Sequence, residues 1–220
     1  YNTTEGYVPL KEAICKRMKR TGMDASLDQV LITTGAMQAL DLTGKLFINE
    51  GDTILCEGPT FFSAVDIFEI YGAKFVEVEM DRNGMNMEEL ERKLQNHPET
   101  KAIYTLPDFQ NPSGRTMTKE RRKKLIELAN LYDVLVIEDD PYGSVRYAGE
   151  KVPPLKYFDT EGRVIYISTF SKIIAPGLRL GWLYVDEKFM SKYIALKELS
   201  DMHTDIISQM ATTEFLENYD

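Results

Sequence analysis

Short apolar, β-branched runs alternate along the chain with longer stretches whose apolar positions recur every three to four residues. The runs "QVLITTG", "DTILCEGP", "KFVEVEM", "KAIYTLP", "VLVIEDDPY", "GRVIYISTF" and "LGWLYVD" predict seven strands. Helical spacing marks the segments between and after them: "GYVPLKEAICKRMKRTG", "AMQALDLTGKLFI", "FFSAVDIFEIYG", "NMEELERKLQN", "KERRKKLIELANLYD", "KFMSKYIALKELSDM" and "IISQMATTEFLEN". Gly22, Gly72 and His97-Pro98 supply stop signals. Strands separated by helices predict βαβ units, hence an α/β domain with a mainly parallel sheet and helices on both faces.

Composition narrows the picture. At 220 residues and 43% hydrophobic content the chain can bury a substantial core, and 28% charged residues is ordinary for a globular protein. No apolar run reaches the roughly 20 residues needed to cross a bilayer, and "YNTTEGYVPL" lacks the basic lead and apolar region of a signal peptide. Cys15 and Cys56 are too few for a disulfide framework, which sets a reduced, cytoplasmic expectation. A formal net charge of −9 argues against a nucleic-acid partner. The densest basic run, from Lys119, reads as the solvated face of an amphipathic helix.

Unusual residues cluster where strands end, and a parallel sheet brings those ends to one edge, where ligands of open α/β folds bind. After "VLIT" come Gly35, Ala36 and Met37, opening a helix; "AIYTLP" leads to Asn111. "VLVIE" delivers Asp139 and then Tyr142, and "VIYIS" delivers Thr169, Ser171 and Lys172, with Arg179 close behind. Each has an ordinary explanation alone: a surface lysine, a turn-capping aspartate, an Asn-Pro-Ser-Gly turn, a tight strand-to-helix glycine. Together they offer an anion site of arginine, hydroxyls and a helix N-terminus, an amine able to form a Schiff base, and an acid for a heteroaromatic nitrogen. Those are the needs of pyridoxal 5'-phosphate.

In order and spacing, "TEGYVPLKEAI", "TTGAMQALDL", "LPDFQNPSG", "VIEDDPYG" and "STFSKIIAPGLRLGW" resemble the fold-type I, class I/II pyridoxal-phosphate-dependent aminotransferases, closest to the aromatic and 2-aminoadipate branch. The resemblance implies a three-layer αβα domain around a mainly parallel seven-stranded sheet with one antiparallel strand. It implies that Lys172 forms the Schiff base with the cofactor and shuttles the substrate proton. Asp139, chosen over Asp140 because Tyr142 completes an Asp-x-x-Tyr pattern, would pair with the pyridine nitrogen. Tyr142 and Asn111 would bond the phenolic oxygen, while Arg179, Thr169, Ser171 and the backbone of Gly35, Ala36 and Met37 would hold the phosphate. Phe61 stands where the family usually has tyrosine or tryptophan on the ring. Tyr1 resembles a tyrosine that reaches the neighbouring subunit's phosphate in a homodimer.

Family members are longer, so residues 1–220 are expected to be the cofactor-binding large domain, without the small domain built from both termini. Such a chain should hold the cofactor yet exchange amino groups between its small-molecule substrates, an amino acid and a 2-oxo acid, poorly. A β-lyase acting on cystathionine-like substrates and the ligand-sensing domain of a transcriptional regulator are the alternatives.

Overall fold

The structure, a computed structural model, describes residues 2–219. All seven expected strands form: β1 (Val30–Thr33), β2 (Thr53–Gly58), β3 (Lys74–Asp81), β5 (Thr100–Thr105), β6 (Leu135–Asp140), β7 (Val164–Thr169) and β8 (Gly181–Tyr184). An eighth, the two-residue β4 (Gly84–Met85), folds back on β3. The sheet order is β1-β8-β7-β6-β5-β2-β3-β4. The pairings from β3 through β7 are parallel, and β8 runs antiparallel to both β7 and β1.

Side chains alternate between faces along each strand, and the core divides accordingly. Ile54, Tyr104, Ile137 and Ile165 pack with Leu40 of α2 (Ala36–Phe47), Phe68 of α3 (Phe62–Ile70) and Tyr193 of α7 (Glu187–Asp201). Their neighbours Leu55, Ile103, Val136 and Val164 face the other way, onto α4 (Met87–Asn96), α5 (Lys119–Leu131) and α6 (Leu155–Phe158). At the β1 edge, α1 (Val8–Lys19) and α8 (Ile206–Tyr219) cover Ile32, Tyr166 and Trp182. The result is the expected αβα sandwich. Among the described residues, no helix is long and apolar enough to cross a membrane.

The basic run on α5 departs from expectation. Arg121 pairs with Asp81, and Arg122 is wholly buried rather than solvated. Its guanidinium donates to the carbonyls of Met117, Pro107 and Pro153 and lies 3.0 Å from Asp108. A helix that must cover two loops turns one charge inward, where five donors in a planar fork can satisfy several carbonyls at once. Arg122→Ala is expected to lower unfolding free energy by about 3 kcal/mol or more, because buried acceptors lose their donor; urea unfolding measures it.

Glu138, on the α5–α6 face, is fully buried and accepts the N–H groups of Leu155 (2.6 Å) and Lys156 (2.8 Å). Burial first, and then the Asp140 charge, pushes its pKa up from 4.5 to about 8. A carboxyl raised on folding adds stability at low pH, and that contribution fades as pH climbs through the folded value. Glu138→Gln is therefore expected to flatten the decline in stability between about pH 5 and pH 8 relative to the parent protein, read from chemical unfolding at each pH.

Candidate active site

Four strand ends and one helix N-terminus meet at one rim of the sheet. Ala36, Met37, Phe61, Asn111, Asp139, Tyr142, Thr169, Ser171, Lys172 and Arg179 all line one cavity of about 260 Å³. Of the remaining expected residues, Gly35 lies just outside the lining, and Tyr1 falls outside the described residues. Leu40, Leu106, Pro141 and Pro176 complete the wall without having been anticipated.

Two glycines bring the parts of the rim close together. Gly35, at φ +78°, caps α2 with no side chain, and a Cβ there would collide with the Arg179 guanidinium. At Gly181 a Cβ would stand 2.7 Å from the Ala36 nitrogen and 2.9 Å from the Ser168 carbonyl, so the start of β8 presses on the first turn of α2. Arg179 itself adopts a left-handed conformation, φ +50°. The Thr169 hydroxyl lies 2.9 Å from both Ser171 Oγ and the Leu180 carbonyl, and accepts from the Ser171 N–H. Hydroxyls, a helix N-terminus and a guanidinium thus gather on one side of the cavity, a combination suited to phosphate.

Asp139 and Asp140 are adjacent on β6, so the pleat sends them to opposite faces. Asp140 accepts from Tyr166 on the α1 side, outside the cavity. Asp139 faces the α2–α3 layer, where Oδ2 accepts the Tyr104 hydroxyl at 2.8 Å. Its other oxygen, Oδ1, is buried and has no partner among the described residues. Burial chiefly raises the Asp139 pKa to about 7, against the lowering pull of the Tyr104 hydrogen bond. An opposite charge brought against Oδ1 would restore its ionised form.

The Lys172 side chain is exposed at the cavity mouth. Its Nζ stands 6.0 Å from the Tyr142 ring centroid and has neither hydrogen bond nor ion pair among the described residues. No ion pair engages Arg179 among those residues either; its guanidinium donates only to the Pro176 carbonyl, at 3.3 Å. Asn111 sits on a loop pinned from within. Gln110 donates to the Pro59 carbonyl at 2.8 Å, and Asp108 pairs with Arg146 at 2.7 Å and with Arg122. The turn sequence announces that loop; the residues anchoring it carry no local signal.

The sequence model of the family described as "Aminotransferase class I and II" matches residues 1–219. The chain belongs to that family. An aromatic-amino-acid aminotransferase of Thermococcus litoralis is 45% identical across 99% of this chain and 53% of its own length. A 2-aminoadipate transaminase of Thermus thermophilus is 33% identical across 98% and 54%. The HTH-type transcriptional regulator NorG of Staphylococcus aureus is 31% identical across 99% and 49%. Among solved structures, a kynurenine aminotransferase of Pyrococcus horikoshii, in complex with PMP, KYN as substrates and KYA as products, superposes with a TM-score of 0.95. It is 42% identical and is covered over 55% of its length, against 100% of this chain. The chain therefore spans about half the length of the curated relatives it matches.

The residues present fit pyridoxal 5'-phosphate. An orphaned buried carboxylate oxygen suits a protonated ring nitrogen, and the exposed guanidinium beside two hydroxyls suits the phosphate. An amine with no hydrogen bond or ion pair among the described residues suits the aldehyde, and the aromatic wall at Phe61 suits the ring.

Proposed function

We propose that this chain is the cofactor-binding large domain of an aminotransferase that moves an amino group between an amino acid and a 2-oxo acid. The observation that carries this reading is the single cavity joining Lys172, Asp139 and Arg179. Bound there, pyridoxal phosphate supplies an aldehyde that condenses with amines and a ring that draws electrons from the substrate α-carbon.

The chain's own groups divide the remaining work. Arg179, Ser171, Thr169 and the first N–H groups of α2 anchor the phosphate and fix the ring's position. Asp139 holds a proton on the ring nitrogen from a site that excludes water. Asn111 and Tyr142 would hold the phenolic oxygen, and Phe61 would cover a ring face. The Lys172 amine, exposed at the mouth, would be the base that carries the proton of the substrate α-carbon. The likeness to aromatic and 2-aminoadipate enzymes supports an amino acid and a 2-oxo acid as the small-molecule substrates; that the protein works as a cytoplasmic homodimer is part of the same proposal.

Incubating the full-length protein with the cofactor, an aromatic amino acid and 2-oxoglutarate tests the reading. The expected result is aromatic oxo acid beyond one equivalent per cofactor only when 2-oxoglutarate is present. Pyruvate and ammonia released from cystathionine, without any need for an oxo acid, would favour a lyase instead. The match to NorG supports a second reading, a ligand-sensing domain in a regulator. A DNA-binding module encoded ahead of Tyr1, with no turnover by the full-length protein, would select it.

A further inference from the structure

We propose that Tyr104 is a positioning residue for this reaction: its hydroxyl fixes Asp139 so that one carboxylate oxygen, and only one, meets the ring nitrogen. The inference rests on the cofactor reading above and assigns a task to a side chain that does not line the cavity.

The geometry comes from two neighbouring parallel strands. Tyr104 on β5 stands in register with Ile137 on β6, which places Asp139 diagonally ahead on the same face. Tyr104 is fully buried, and its ring meets Phe68 of α3 edge-on, with centroids 6.1 Å apart at 64°. The ring is thereby held, and its hydroxyl reaches Asp139 Oδ2 at 2.8 Å. A carboxylate with neither oxygen bound turns freely about its last torsion. With Oδ2 engaged, Oδ1 is left buried and without a partner among the described residues.

The groups around this pair make Tyr104 an unconditional donor. Asp139 and Glu57 of β2 lie near its hydroxyl, with Cys56 beside them, and burial together with these acids drives its pKa well above the usual phenol value. It therefore remains protonated throughout the working range. From its own strand Asp139 also feels Asp140, which disfavours its charge, and Tyr104 supplies the hydrogen bond that opposes this. Glu57 is occupied separately, accepting from the Thr105 hydroxyl and the Leu106 N–H. Without the Tyr104 donor Asp139 becomes a stronger base, so a proton between it and the ring nitrogen moves toward Asp139. The ring then draws electrons less strongly.

Tyr104→Phe removes the hydroxyl and keeps the ring. In the full-length protein it is expected to weaken the pyridoxal 5'-phosphate dissociation constant about tenfold and to raise the pH midpoint of the bound cofactor's visible absorbance by about one unit. kcat should fall by a similar factor, with KM for the amino donor within about twofold. Tyr104→His, which retains a ring donor, should recover part of the midpoint shift. In an Asp139→Ala background, Tyr104→Phe should add nothing, because the hydroxyl acts through Asp139. An unchanged affinity and midpoint in Tyr104→Phe would overturn the inference and leave the cofactor site standing. So would an equal loss in the Asp139→Ala background, which marks a merely structural role. Failure of the parent protein to bind the cofactor at all would sink the functional reading, and this inference with it.

Discussion

Lys172→Ala is expected to cut amino transfer in the full-length protein by on the order of 10⁴-fold, the upper end of what a positioned proton carrier contributes. The cavity wall contains two cationic side chains, Lys172 and Arg179, and a guanidinium neither condenses with an aldehyde nor gives up its proton near neutral pH. Among the described residues no second amine lines the cavity. Because Arg179, Ser171 and Thr169 remain, the variant should still bind the cofactor, without the visible absorbance that marks its attachment to the protein. Steady-state rates and an absorbance scan of the same preparation separate the two effects. Activity within tenfold of the parent would mean that Lys172 is only a rim lysine.

The second large effect belongs to Asp139. Asp139→Asn keeps the size and the hydrogen bond to Tyr104 but removes the charge, so no anion faces the ring nitrogen. The expected loss is about 10²–10³-fold in kcat, typical of removing one preorganised electrostatic contact to developing charge. KM should change much less, since the contact matters most as electrons flow into the ring. Asp140→Asn is the contrasting substitution: it lies one residue away on the opposite face, bonded to Tyr166, and should leave kcat within about threefold. Comparable losses in both variants would contradict the geometry.

The strands were legible because seven apolar runs are long enough to show their pattern; β4, with two residues, and α6, with four, are too short to do so. Strand ends carrying Asp139, Lys172 and Arg179 could be read because a parallel sheet fixes which edge they share. Sequence offered no sign that Arg122 turns inward, since it is one of five basic residues in the six-residue stretch "KERRKK" and its partners include backbone carbonyls of other loops. Tyr104 was hidden for a related reason. It reads as one more apolar strand residue, and only the β5–β6 register brings its hydroxyl to Asp139, 35 positions away. The exposure of Lys172 also depends on how the turn after β7 folds, which the local pattern does not specify.

If one cavity holds a pyridoxal ring with its aldehyde at Lys172, that lysine is the residue the cofactor labels. The most direct measurement is to load the protein with pyridoxal 5'-phosphate, reduce it with borohydride, digest it and locate the label by mass spectrometry. A stoichiometric pyridoxyl group on the peptide containing Lys172 is the expected result. A label spread over surface lysines, or none at that position, would contradict it.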